Sequence, residues 1–227
     1  MPAASRDTLP PYASGAARLG LIYRLTLDGG GQRLLVVSSQ SAAMAAIGAA
    51  NPDAEFDVIA PGAGAPRPPY DAVFLPELAP GRAGAASRNV PQQLQAAHAW
   101  LVPGGVLAGD ASHLHSIRGM ADLVRGRMGP LAWLRGAACA SPSACRRTLQ
   151  RYGFADVECY YVEPHIESPL TLVPDHRAAA RRHFLRAVRR TRGQYRWPGY
   201  LARLLLAGAG LGGQMQRHLF FCARRPC

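Results

Sequence analysis

Apolar residues fall in short runs along this chain, separated by turn-forming glycine and proline. Residues 33–37, Arg-Leu-Leu-Val-Val, follow Asp28-Gly29-Gly30-Gly31 and read as a buried strand. An alanine-rich stretch up to Ala50 then suits a helix ended by Asn51-Pro52. Residues 56–60 form a second strand closed by Pro61-Gly62, and residues 70–75 a third closed by Pro76, with a Pro/Gly-rich loop between them. Residues 91–100 place Leu94, Ala97 and Leu101 on one helical face. Pro103-Gly104-Gly105 reads as a sharp turn, with a strand from Val106 onward.

The second half continues less regularly. A helix is expected over 143–152, a Gly153-Phe154 turn, and a strand over 157–162. Asp175 suits an N-cap for a helix running to about Arg192 and stopped by Gly193. Residues 219–223 form a final strand. Strand and helix alternating at this spacing predict an α/β layer fold with a mostly parallel sheet. Ligands in such sheets bind at the carboxyl ends of the strands, here loops 38–44, 60–64, 76–79 and 110–115. The expected organisation is a lead-in over 1–32, a main domain over 33–175, an arginine-rich helical insertion over 176–215, and a closing strand of the main domain over 216–227.

Composition sharpens this picture in one place. The 227 residues carry a net charge of +12, and all 26 basic side chains are arginine. Residues 1–175 hold 14 arginines and all 14 acids, whereas residues 176–227 hold 12 arginines and no acid. The basicity is therefore regional, which points away from a nucleic-acid-binding protein as a whole. It leaves an anionic ligand, a protein partner or an anionic membrane surface as expected partners of residues 177–206. High alanine, glycine and proline beside a lack of lysine also suggest a GC-rich coding bias. No apolar run approaches the roughly 18 residues of a membrane span, and 1–20 lacks a signal-peptide core. A cytoplasmic location, with peripheral membrane contact as its variant, is expected. The five cysteines show no C-x-x-C spacing, and no metal site is expected.

Three stretches together resemble the class I S-adenosylmethionine-dependent methyltransferase family. Tyr70-Asp71-Ala72-Val73 is similar to its fourth strand. Leu94 through Trp100-Leu101-Val102-Pro103-Gly104-Gly105-Val106-Leu107 resembles its helix and L-x-P-G-G entry into the fifth. Tyr152-Gly153-Phe154 and Tyr160-Tyr161, with the closing strand, resemble its G-F turn, sixth strand and antiparallel seventh strand. The resemblance implies a Rossmann-like sheet with an antiparallel last strand. It also implies S-adenosylmethionine held by Ser38, Ser39, Gln40, Ser41, Ala60, Gly62 and Glu77. The implied activity is methyl transfer to a small or lipid-like acceptor, at oxygen. Two features depart from the pattern: 38–43 contains no glycine, and the second strand ends Ile59-Ala60-Pro61 without a carboxylate. They motivate an alternative, a methyltransferase-like protein without cofactor binding that acts as an accessory or scaffold through its basic C-terminal region.

Asp110, His113 and His115 lie just beyond the fifth-strand candidate. Histidine titrates near neutral pH, so it suits removal of an acceptor's proton. Their Asp-x-x-His-x-His spacing lacks the second cluster a metal would need. Tyr161, Glu163 and His165 follow or end the sixth strand and are expected to touch substrate. Arg182 and Arg186 are expected to clamp an anionic group on it, from a helix whose apolar side is Phe184, Leu185 and Val188.

Overall fold

The apolar runs become the inner strands of one sheet. A computed structural model describes residues 33–37, 54–60, 63–64, 68–75, 90–125, 141–163, 171–194, 196–216 and 218–227. Its elements are β1 (Arg33–Val37), β2 (Glu55–Ile59), β3 (Tyr70–Leu75), α1 (Val90–Trp100), β4 (Leu101–Ser112), α2 (Ile117–Val124), α3 (Pro142–Arg151), β5 (Ala155–Glu163), β6 (Thr171–Pro174), α4 (Arg177–Arg190), α5 (Trp197–Gly208) and β7 (His218–Arg224). Short 3-10 turns stand at Arg192–Gln194 and Gly212–Met215. The strand order is β2-β1-β3-β4-β7-β5-β6. β1 pairs in parallel with β2 and β3, and β3 with β4. β7 runs antiparallel between β4 and β5, as the family resemblance implies for the last strand.

Side chains alternate across the sheet. One face gathers Leu35, Val73, Leu107 and Phe221 under Leu94 and Ala97 of α1 and Cys145 and Leu149 of α3. On the same face, towards β6, Tyr161, Val173 and Leu219 lie under Ala180, Phe184 and Val188 of α4 and Tyr200 and Ala207 of α5. The other face carries Leu34, Val36, Phe74, Val106, Ala108 and Phe220, a cluster to which no described helix contributes. The basic insertion is thus anchored by an apolar stripe, with Leu185 packed at its margin.

Several local expectations are corrected. Pro103-Gly104-Gly105 lies inside β4 instead of preceding a strand. Tyr70 and Ala72 pair with Leu101 and Val106, so the extra β4 residues bulge out between them. The bulge is held because Gly104 N–H donates to the Arg225 carbonyl at 2.8 Å and Arg225 N–H returns to Gly105 at 2.9 Å. Gly104 sits at φ +78°, which favours glycine. Asp175 does not cap α4; His176 occupies that position without a side-chain bond. Asp175 instead accepts two bonds from the Arg146 guanidinium, at 2.9 and 3.1 Å, tying α3 to the α4 entry. α3 starts at Pro142, one residue before the expected start, and Ser141 caps it, its hydroxyl accepting from Ala144 N–H. Thr171–Pro174 adds an antiparallel edge strand where the sequence pattern showed none. The predicted helix before Asn51 and the lead-in over 1–32 lie outside the described residues.

Candidate active site

The parallel strands send their carboxyl ends to one edge of the sheet. The chain leaves β1 outward to β2 and then returns to β3 on β1's other side, so the topological switch point lies between β1 and β3, where sheets of this kind bind ligands. Val37, Ile59 and Leu75 end these strands buried, and Ala60 follows exposed. Ser38, Ser39, Gln40, Ser41, Gly62 and Glu77, expected at this edge, lie outside the described residues. The acids of β2 do not reach its carboxyl end. Glu55 opens the strand and faces Arg33 at 3.5 Å, and mid-strand Asp57 accepts from the Tyr70 hydroxyl at 2.7 Å.

One residue beyond β4, His113 is only 1 % exposed. Its Nδ1–H donates to the Gln216 carbonyl at 3.0 Å, because a carbonyl can only accept. That bond sets the tautomer and leaves Nε2 as a lone pair, buried and without a hydrogen-bond partner. Burial pushes the imidazole down to about 4; the bond to the Gln216 backbone opposes this, nearby His115 adds to it, and the Gly213 backbone opposes it. His113 is therefore neutral at pH 7. The Tyr161 ring lies 5.6 Å from it, and burial, with Asp175 and Cys159 nearby, pushes that phenol up to about 12. A neutral imidazole thus faces a protonated phenol.

The 212–215 turn covers both. A side chain at Gly212 would place its Cβ 2.5 Å from Phe184, and one at Gly213 would run into the Tyr161 ring. Only glycine lets this backbone lie on the two rings.

Glu163, at the carboxyl end of β5, completes the cluster. One carboxylate oxygen accepts from the Gln216 side-chain amide at 2.8 Å and the other from His183 Nε2–H at 2.7 Å. A chain of hydrogen bonds, His183 to Glu163 to Gln216 to His113, joins α4, β5, the turn and the end of β4. Beside it lies a cavity of about 120 Å³, lined by Glu163, Phe184, Val188, Thr191, Arg203 and Gln216 among others. Replacing Glu163 with glutamine leaves one accepting oxygen for two donors. E163Q is expected to cost about 1–3 kcal/mol, read as a lower urea midpoint with unchanged slope.

The structure therefore brings Tyr161, Glu163 and His113 together. Asp110 is buried on β4 opposite Phe220, on the other sheet face from Ala111, and His115 is exposed. Arg182 and Arg186 are exposed two residues either side of buried Phe184, about 200° round the helix. His165 lies outside the described residues. His183 and Gln216 escaped the sequence pattern. One hides in an arginine run and the other between glycines and the last strand, 20 and 53 residues from the Glu163 they both bind.

No protein-family model matches the chain, and no curated protein sequence does. Solved structures resemble it in fold. An S-adenosylmethionine-dependent methyltransferase of Archaeoglobus fulgidus aligns with a TM-score of 0.54 at 10 % identity, covering 92 % of each chain. Phosphoethanolamine N-methyltransferase 2 of Haemonchus contortus, solved with phosphomonomethylethanolamine and S-adenosylhomocysteine, aligns at 0.50 and 12 % identity. It is covered over 52 % of its length, so this chain spans about half of it, while 92 % of this chain is matched. A methyltransferase of the same cofactor class from Thermotoga maritima aligns at 0.48 and 9 % identity, with 92 % and 89 % covered. At these identities the likeness is one of fold: a methyltransferase-type Rossmann-like sheet.

Proposed function

We propose that this chain is an S-adenosylmethionine-dependent methyltransferase acting at the oxygen of a small or lipid-like acceptor. The observation that carries the reading is the lone pair of neutral, buried His113, at the edge of the sheet where such folds bind ligands. Ser38, Ser39, Gln40, Ser41, Ala60, Gly62 and Glu77 would hold the cofactor around the switch point. When bound, that group supplies a methyl on a positively charged sulfur. The chain's own part is acceptor handling. His113 Nε2 accepts the hydrogen bond of the acceptor hydroxyl and aims its oxygen, and the Tyr161 phenol donates to that oxygen. The proton passes to Nε2 only as the oxygen gains the methyl and becomes acidic enough for an imidazole held at about 4. The 212–215 turn covers His113, so acceptor entry requires that turn to lift from the two rings. Of Asp110, His113 and His115, His113 alone combines burial with an open acceptor atom, and the proposal rests on it.

The fit to the cofactor is uneven. The strand order puts the switch point between β1 and β3, where such sheets bind cofactors, but β2 brings no acid to the ribose position, since Asp57 is engaged by Tyr70. This favours the alternative of a methyltransferase-like accessory protein without cofactor. Isothermal titration with S-adenosylmethionine separates the two. Saturable heat is expected, with about 2.7 kcal/mol of stabilisation at a hundredfold excess over Kd, a rise of roughly 5–10 °C in Tm. No heat and no thermal shift would leave the accessory reading. With binding in hand, a panel of hydroxylated acceptors and a methyl-labelled cofactor, read by mass spectrometry, tests transfer to oxygen.

A further inference from the structure

The outer side of α5 has no role in the site described above. Trp197, Leu201 and Leu205 follow one another every four residues, so they form one stripe drifting about 40° per step. They are 59 %, 39 % and 72 % exposed, and Leu211 beyond the helix is 47 % exposed. The inner side of the same helix, Tyr200 and Ala207, is buried against the sheet cluster. The stripe therefore lies exposed on the flank of the helix, about a quarter turn from its buried side, although such residues ordinarily bury themselves. Trp197 stacks on Tyr200 at 5.7 Å and lies beneath the Arg192 guanidinium at 5.8 Å, so the large ring is held in place at the helix start.

Cationic residues accompany this stripe on the neighbouring helix and at the junction. Arg181, Arg182, Arg186, Arg189 and Arg190 are exposed on α4, which packs beside α5, and Arg192 and Arg196 are exposed at the junction. No acid follows Asp175. A coding bias that favours arginine over lysine does not remove aspartate and glutamate, and the same chain holds 14 of them before residue 176. The pairing of an exposed apolar stripe with exposed arginines on a segment that holds no acid is the physical signature of a helix lying in a lipid interface. Leucines gain nothing from a nucleic-acid backbone, and the like charge of two such faces opposes self-association.

We propose that the exposed face of α5, with the arginines of α4 beside it, docks on an anionic lipid bilayer. The apolar stripe enters the headgroup boundary and the arginines meet lipid phosphates and carboxylates. This surface stands independently of methyl transfer, since it uses none of the residues around His113.

The test is co-sedimentation of the full chain with vesicles of phosphatidylcholine alone or with about one-third phosphatidylserine. Binding is expected to the anionic vesicles and not to the neutral ones, and to fall as salt rises. Replacing one surface arginine is expected to weaken partitioning about fivefold. R189Q/R190Q is expected to compound this, and L205E to abolish binding. Both sites are exposed, and far-UV circular dichroism checks that the variants fold. Equal binding to both vesicle types, no binding to either, or unchanged binding by L205E would overturn the proposal. So would a dimer in light scattering that L205E dissolves while vesicles recruit nothing, which would make a second copy the occupant.

Discussion

Lowering the pH from 7 to 4 is expected to take about 3 kcal/mol out of the folding free energy through His113 alone. In the unfolded chain this imidazole titrates at its ordinary 6.5; in the folded chain burial holds it at about 4. Between those values the unfolded state carries a proton that the native state refuses. The stabilisation is therefore complete above pH 6.5, is lost as the pH falls towards 4, and declines no further below. His113→Asn isolates the effect. Its side-chain amide keeps a donor where Nδ1–H meets the Gln216 carbonyl, but it does not titrate. Urea unfolding of both proteins at pH 7, 5.5 and 4 should show the stability difference between them closing by about 3 kcal/mol. A difference that stays constant with pH would mean that the native His113 is protonated like any surface histidine.

Phe184→Ala is expected to cost about 3–5 kcal/mol, a Tm fall of about 10 °C for a chain of this size. The ring is 1 % exposed and sits edge-on to Tyr161 at 6.0 Å and to His183 at 5.3 Å. Gly212 lies directly against it. Losing it opens a cavity at the one place where α4, the sheet and the 212–215 turn meet. Water then reaches His113, whose pKa should climb back towards 6.5. Calorimetry gives the first effect, and NMR titration of the imidazole the second. Phe184→Leu, which refills most of the volume, should recover the larger part of both. An alanine variant with a wild-type Tm would show that α4 does not pack here as a core element.

Much of the sheet was legible because its signals are local. Leu34 to Val37 and Ala72 to Leu75 are continuous apolar runs, which is how strands covered on both faces look. The same holds for Leu219, Phe220 and Phe221 of β7. β6 was invisible, since four residues on a sheet edge with one of them fully buried leave no pattern to find. The start of β4 was misplaced because Pro-Gly-Gly normally breaks a strand. Here Arg225, more than a hundred residues away, supplies the hydrogen bonds that keep the bulge in the ladder. Asp175 leaves its expected capping role for a similar reason: capping is local, whereas the Arg146 guanidinium that claims it comes from another helix.

The candidate site divides along the same line. His113, Tyr161 and Glu163 could be picked out because they stand at or just beyond strand ends. The layer architecture, the strand-end loops, the neutral body and the acid-free tail can be read along the chain, because they follow from neighbours a few residues apart. Which nitrogen of His113 is open, the sharing of Glu163 by His183 and Gln216, and the exposure of a leucine stripe on α5 emerge from the fold. Each of those depends on what a distant segment places against the side chain. A chain-local pattern records which residues are apolar or charged, but not which of them the fold covers.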